Sequence, residues 1–198
     1  MTNDPFYISP DDPPAKRRIL QEGLRLFAQR GLSATSIRDI AAATGYSNPA
    51  LYKHFKTKDA LAVFLFERSY REILRQLSLA TQQADGFEAK FSAYIVAFTT
   101  FFDTNPQAAV FTSDNLPTLW PHVSEHFQGR TIITLTREVL EQGKQEGLVS
   151  RDVRPPMQLV LVNGMISQLI RQMFFGELTG PASTFAPEIE GILRKALA

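Results

Sequence analysis

The sequence predicts an all-α protein, with a short N-terminal helical domain followed by a larger helical one. Three observations predict it. Apolar residues recur at helical spacing through most of the chain, and no segment alternates like a strand. Two short helical stretches meet at a tight turn around Gly45. Charge is segregated: Lys16 to Lys58 carries nine Lys or Arg against Glu22 and Asp39, a net +7 within a chain of net +1, which leaves −6 for the rest.

The elements follow in order. Residues 1–14 are acidic and proline-rich and read as a flexible arm. From Ala15 to Arg30, Leu20, Leu24, Phe27 and Ala28 form one helical stripe, and Gly31 provides the stop. Ser36, or Thr35 with a shifted boundary, caps a short helix with Ile37, Ile40 and Ala41 on its apolar face. Gly45 ends it. Ser47 or Asn48 caps the next, which places Pro49 in a first turn, where a missing N–H costs little. Thr57 caps a long helix carrying Leu61, Phe64, Leu65 and Arg68, and the TQQADG stretch ends it. Larger, more aromatic helices are expected over Phe87–Thr104, Pro106–Asn115, Pro117 or Pro121 to Gly147, Pro156–Phe175 and Phe185–Leu197. Gly147 followed by Leu148 reads as a stop with an apolar clasp. The domains are then 15–60 and 61–198.

Composition narrows the function. With no cysteine, disulfides, thiolate metal sites and cysteine nucleophiles are excluded. No apolar run is long enough to span a bilayer, and the N-terminus lacks the basic-then-apolar order of a signal peptide, so a cytoplasmic protein is expected. The basic block is the electrostatic footprint of a surface for a polyanion; its bland alternative is a solvated helical face.

The helix pair inside that block favours the first reading. Ala41 permits close approach, Gly45 permits the turn, and Leu51 with Phe55 points inward. Ser47, Asn48, Pro49 and Ala50 then lie at the end that a recognition helix presents to base edges. Tyr52, Lys53 and His54 lie further along, with donors suited to phosphate oxygens, and Lys58 sits in the first turn of the following helix.

These residues resemble a known family. The stretch LRLFAQRGLSATSIRDIAAATGYSNPALYKHFKTKDAL, above all its YKHF end followed by KDAL, is similar to the tetracycline-repressor-like (TetR) transcriptional regulators. The resemblance implies a three-helix DNA-binding unit, joined by a fourth helix to a helical effector and dimer domain. It implies phosphate contacts by Tyr52, His54, Lys58 and Thr35. Base reading would fall to the start of the recognition helix and to Arg38, with Lys53 able to do either. It further implies a homodimeric repressor on a palindromic operator, released by a small effector. Such a protein is not an enzyme and needs no cofactor.

Beyond the motif the signals are sparser. Phe98, Phe101, Phe102, Phe111, Trp120 and Phe127 concentrate aromatics that could line a cavity for an apolar or aromatic effector, or simply form core. Asn163 and Gln168 are polar residues on an apolar helix, able to orient a ligand or to sit at an interface. Gly164 is unfavourable inside a helix; a close partner helix, a kink or ligand clearance would explain it. His122 to His126 reads HVSEH, an H-x-x-E-H match. The alternative function is therefore a zinc-dependent hydrolase using His122, Glu125 and His126. A milder version gives His122 or His126 to the effector site.

Overall fold

The computed structural model describes residues 4–124 and 129–198. Helices occupy most of them, and no strand occurs among the described residues. The chain divides into two compact units, Met1–Glu72 with Gln107–Phe127 and Ile73–Pro106 with Gln128–Ala198.

In the first unit, α1 (Pro14–Arg30) begins on a proline and buries Ile19, Leu20, Leu24 and Phe27. Removing each such side chain from water contributes about 1.5–3 kcal/mol. Gly31 stops the helix at φ 85°, its N–H donating to the Phe27 carbonyl. The left-handed region it occupies disfavours any side chain. Helix α2 (Ile37–Thr44) starts from a capping box: the Ser36 hydroxyl accepts from the Asp39 amide, and the Asp39 carboxylate accepts from the Ser36 amide. Gly45 ends it at φ 76°, and α3 (Asn48–His54) follows with Pro49 in its first turn. Helix α4 (Lys58–Gln82) is capped by Thr57, whose hydroxyl accepts from the Ala60 amide at 3.0 Å. It contributes residues up to Glu72 to this unit.

The division differs from a boundary at residue 60. The first unit extends along α4 and takes in α6 (Pro106–Leu119). The reason is packing: Phe111 of α6 stacks on Phe27 at 5.6 Å, and Trp120 lies against Tyr70 at 5.1 Å. The N-terminal segment also departs from a loose arm, since Tyr7 and Ile8 are buried.

The second unit contains α5 (Gly86–Thr104), α7 (Ile132–Gln145), α8 (Pro155–Phe174) and α9 (Ala186–Leu197). Two carboxylates tie it together. Glu146 accepts from the Phe87 amide at 2.9 Å, and Asp103 accepts from the Ser183 amide at 3.0 Å. The amide of Phe87 is the main reason the Glu146 pKa lies below its ordinary value.

One expected helix is corrected. Instead of running from Pro117 or Pro121, α7 starts at Ile132, behind a Thr131–Thr134 capping box. Pro117 falls in the last turn of α6, where the helix is already ending, and a 3-10 turn follows at Trp120–His122. The clasp after Gly147 is also moved by one residue: Leu148 is 41% exposed, whereas Val149 is buried at 3%.

Candidate DNA-binding surface

Helix α3 has one inward and one outward face. Leu51 is 1% exposed and Phe55 7%, which seats the helix on the unit's core. The i, i+4 spacing of these two residues leaves Tyr52 and Lys53 outside, Tyr52 at 50% exposure. His54 is half-buried. At the start of the helix Ser47 and Pro49 are exposed, while Asn48 and Ala50 are half-buried. Arg38 stands exposed on α2, whose start the Ser36–Asp39 box holds. The Ser36 hydroxyl and amide together keep the Asp39 carboxyl below its usual range.

Two residues expected at phosphates also have partners inside the chain. Thr35 is 1% exposed, and its hydroxyl donates inward to the Gly31 carbonyl at 2.9 Å. That hydroxyl ties the α1–α2 turn to the end of α1. The Lys58 ammonium donates to the Leu32 carbonyl at 2.8 Å, stitching the start of α4 to the same turn. Lys58→Ala should therefore lower the melting temperature by roughly 3–12 °C, the loss of one charged hydrogen bond of about 1.5–3 kcal/mol. The salt dependence of DNA binding should stay as in wild type. A thermal melt with a salt titration checks both; a slope flattened by about 0.9 would return Lys58 to the phosphates.

The basic block is also less uniform than its sequence suggests. Lys16 pairs with Asp12 at 2.7 Å, Arg17 with Asp4 at 2.6 Å, and Arg25 with Glu22 at 2.7 Å. Asp4 and Asp12 precede the block in sequence and fold back onto it. Among the described residues the side chains of Arg38, Lys53 and Lys56 make no hydrogen bond or ion pair with other residues, and all three are exposed. Accessible cations of the block therefore include Arg38, Lys53 and Lys56 on and beside α2 and α3, with Arg18 and Arg30 exposed on α1. Sequence reading missed Tyr46, 38% exposed in the turn before α3, and Lys56, exposed just after it. Their placement beside the glycine turn and the YKHF end was the available signal.

The aromatic set does not form one lining. Phe111 and Trp120 belong to the first unit, and Phe111 is 0% exposed against Phe27. Phe98, Phe101 and Phe102 lie on α5 in the second unit, where Phe101 and Phe102 are buried. Gln168 is exposed on α8. Phe127, Glu125 and His126 lie outside the described residues. His122 is exposed at the end of the 3-10 turn, and Val123 leaves that turn with an extended backbone at φ −69° and ψ 152°. The helix expected to begin near Pro121 is therefore not continued at Val123, and the rest of HVSEH lies outside the described residues. Among the described residues no three His, Cys, Asp or Glu side chains cluster as a metal site. A polar meeting point occurs instead where α5, α7 and α8 converge: Tyr94 and Thr136 share a hydrogen bond of 2.8 Å, and each hydroxyl is 3.4 Å from the Asn163 side-chain carbonyl. No described helix is long and apolar enough to cross a membrane.

The model of the family described as bacterial regulatory proteins, tetR family, matches residues 19–63. The repressor KstR2 of Mycolicibacterium smegmatis is 38% identical over 99 residues, 43% of this chain and 48% of that protein, so the match spans about half of the relative's length. The "Probable acrEF/envCD operon repressor" of Escherichia coli K12 is 26% identical over 79% of this chain and 74% of its own. In fold, the regulator FadR of Bacillus subtilis, solved in complex with stearoyl-CoA, matches 92% of this chain and 100% of its own with a TM-score of 0.74 at 15% identity. Residues 19–63 carry the helix-turn-helix unit of the TetR family of bacterial regulatory proteins, and the chain shares the fold of such solved regulators over nearly its whole length.

Proposed function

We propose that the protein is a homodimeric transcriptional repressor that binds a palindromic operator through α3 and is released by a small apolar or aromatic effector. The observation that carries the reading is the outward face of α3: Tyr52 and Lys53 stand clear on a helix seated by Leu51 and Phe55, with Arg38 free on α2. Tyr52, Lys53 and His54 take phosphates, while Ser47 to Ala50 and Arg38 meet base edges.

The dimer reading rests on α8 and α9. Val160 is 58% exposed, Ile192 46% and Met157 45%, and these helices border an apolar groove of about 520 Å³ that includes Gly164. A methyl group built on Gly164 would meet nothing within 4 Å beyond its own helix, so among the described residues no packed neighbour requires the glycine. A second copy laid on this face covers the apolar surface and makes use of the missing side chain. Two-fold symmetry then presents two recognition helices to half-sites one or more DNA turns apart.

The effector acts only through its different affinity for two dimer geometries, one of which fits the operator. The buried Tyr94 and Thr136 hydroxyls, with the half-buried Asn163 side chain beside them, are the polar groups in the second unit suited to orient an otherwise apolar molecule.

The test is a titration of the purified protein against duplex DNA from beside its own gene, at two salt concentrations, with its mass in solution measured in parallel. Salt-steep binding that footprints a palindrome, by a dimer, is the expected result. Weak binding equal for every sequence, or a monomer at micromolar concentration with and without DNA, defeats it.

A further inference from the structure

The segment before α1 is a closed strap. The Arg17 guanidinium donates from Nε to the Asp12 carbonyl at 2.8 Å, from Nη1 to the Asp4 carboxylate at 2.6 Å, and from Nη2 to the Pro10 carbonyl at 2.6 Å. Tyr7 and Ile8 are 8% and 6% exposed. The Asp12 carboxylate accepts from the Ser9 amide at 2.8 Å and from the Lys16 ammonium at 2.7 Å, with its side chain 7% exposed.

The contacts continue from Lys16 towards α3. Its ammonium lies 5.1 Å from the centroid of the Phe64 ring, and the Arg68 guanidinium lies 5.2 Å from the same ring. Phe64 in turn meets Phe55 edge-on at 5.5 Å. Phe55 is the residue on which α3 ends, its amide donating to the Leu51 carbonyl. We infer that Asp12 is a positioning residue for the recognition helix, acting through Lys16 and Phe64 on the Phe55 end of α3. The functional part of this inference rests on the DNA-binding reading above; the mechanical part does not.

The physical argument is one of restraint. A lysine side chain free to move spends little time over a ring, because its ammonium is well hydrated and its stem is flexible. A buried carboxylate that pairs with it holds it there and makes the ring contact persistent. Burial pushes the Asp12 pKa up, but Lys16, the Ser9 amide and Arg68 outweigh it and hold the pKa below its usual value. The carboxylate is therefore charged at neutral pH. Without that charge Lys16 leaves the ring, Phe64 loses one of its covers, and the short α3 is free to fray at Phe55.

The test compares wild type, Asp12→Asn and the double variant Asp12→Asn with Lys16→Met, all as the full chain. The first readout is amide hydrogen exchange across Leu51 to Phe55 and across α5, which lies in the other unit. Asp12→Asn should exchange at least about threefold faster in α3 with α5 unchanged. The double variant should restore α3 protection, because a methionine packs on Phe64 without needing a carboxylate. The second readout is affinity for the duplex from beside the gene and for an unrelated duplex. Asp12→Asn should lose about three- to tenfold on the former and little on the latter.

Unchanged α3 exchange in Asp12→Asn overturns the inference. So does tighter, more salt-dependent binding to both duplexes, which would make the strap a mask over Lys16 and Arg17. If Asp12→Asn does not fold, the double variant decides: α3 protection as in wild type supports the inference, and faster exchange confined to α3 overturns it. Altered α3 exchange with no operator binding by wild type would leave the positioning intact and fell the DNA-binding reading instead.

Discussion

A protein carrying Tyr52→Ala and Lys53→Ala should bind its operator at least about a hundredfold more weakly while keeping its fold. Each residue is expected to hold one phosphate through a hydrogen bond to a charged group, worth roughly 1.5–3 kcal/mol, and about 1.4 kcal/mol is tenfold in affinity. The loss of the Lys53 charge should also flatten the log–log salt dependence by about 0.9. Stability should shift by no more than about 0.5 kcal/mol, because both side chains stand in solvent. Seating residues are untouched: Leu51 and Phe55 hold α3 from its other face. Anisotropy titrations at several salt concentrations, with circular dichroism as the control, check all three statements. A double variant that binds as wild type does would take α3 out of the interface.

Gly143→Ala should destabilise the second unit, and the sign of the effect is the informative part. Gly143 lies inside α7, where helix propensity alone predicts that alanine gains about 1 kcal/mol. Packing predicts the reverse. A Cβ at this position would come within 2.5 Å of Val149 Cγ2 and 2.7 Å of Phe87 Cδ2. Both neighbours are buried, at 3% and 2% exposure, and neither is the loose end of a flexible chain. Valine has a stiff side chain, and the Phe87 ring stacks on Phe91 at 5.2 Å. The overpacking should cost about 1–3 kcal/mol net, a fall of roughly 2–12 °C in melting temperature. A thermal melt followed by near-ultraviolet circular dichroism measures it. An equal or higher melting temperature would mean that Phe87 and Val149 move aside at little cost.

The same glycine illustrates what was illegible in the sequence. Nothing in EQGKQEG distinguishes a glycine that admits a ring from one that merely interrupts a helix. The start of α7 was a different kind of miss. The Thr131–Thr134 capping box was present in the sequence, but Pro117 and Pro121 offered stronger start signals. A proline marks a helix start only when the chain before it is not already helical, and α6 was. Thr35 and Lys58 show a third limit. Both have donors suited to phosphate; Thr35 gives its one hydroxyl donor, and Lys58 one of its three N–H donors, to carbonyls of the α1–α2 turn. Residue type states what a group can bond; only its neighbours state what it does bond.

What the sequence by itself determined is the helix-turn-helix unit. Its helices are short, locally capped and separated by glycines, so the signals that start and stop them lie within a few residues of where they act. The alternation that buries Leu51 and Phe55 and exposes Tyr52 and Lys53 follows directly from 3.6 residues per turn. Tertiary structure alone decided the folding of Asp4 back onto α1, the membership of α6 in the first unit, the division of the aromatics, and the meeting of Tyr94, Thr136 and Asn163. Each joins residues outside any common helical turn, or on separate elements, and such contacts are selected by packing and charge in three dimensions rather than by local spacing.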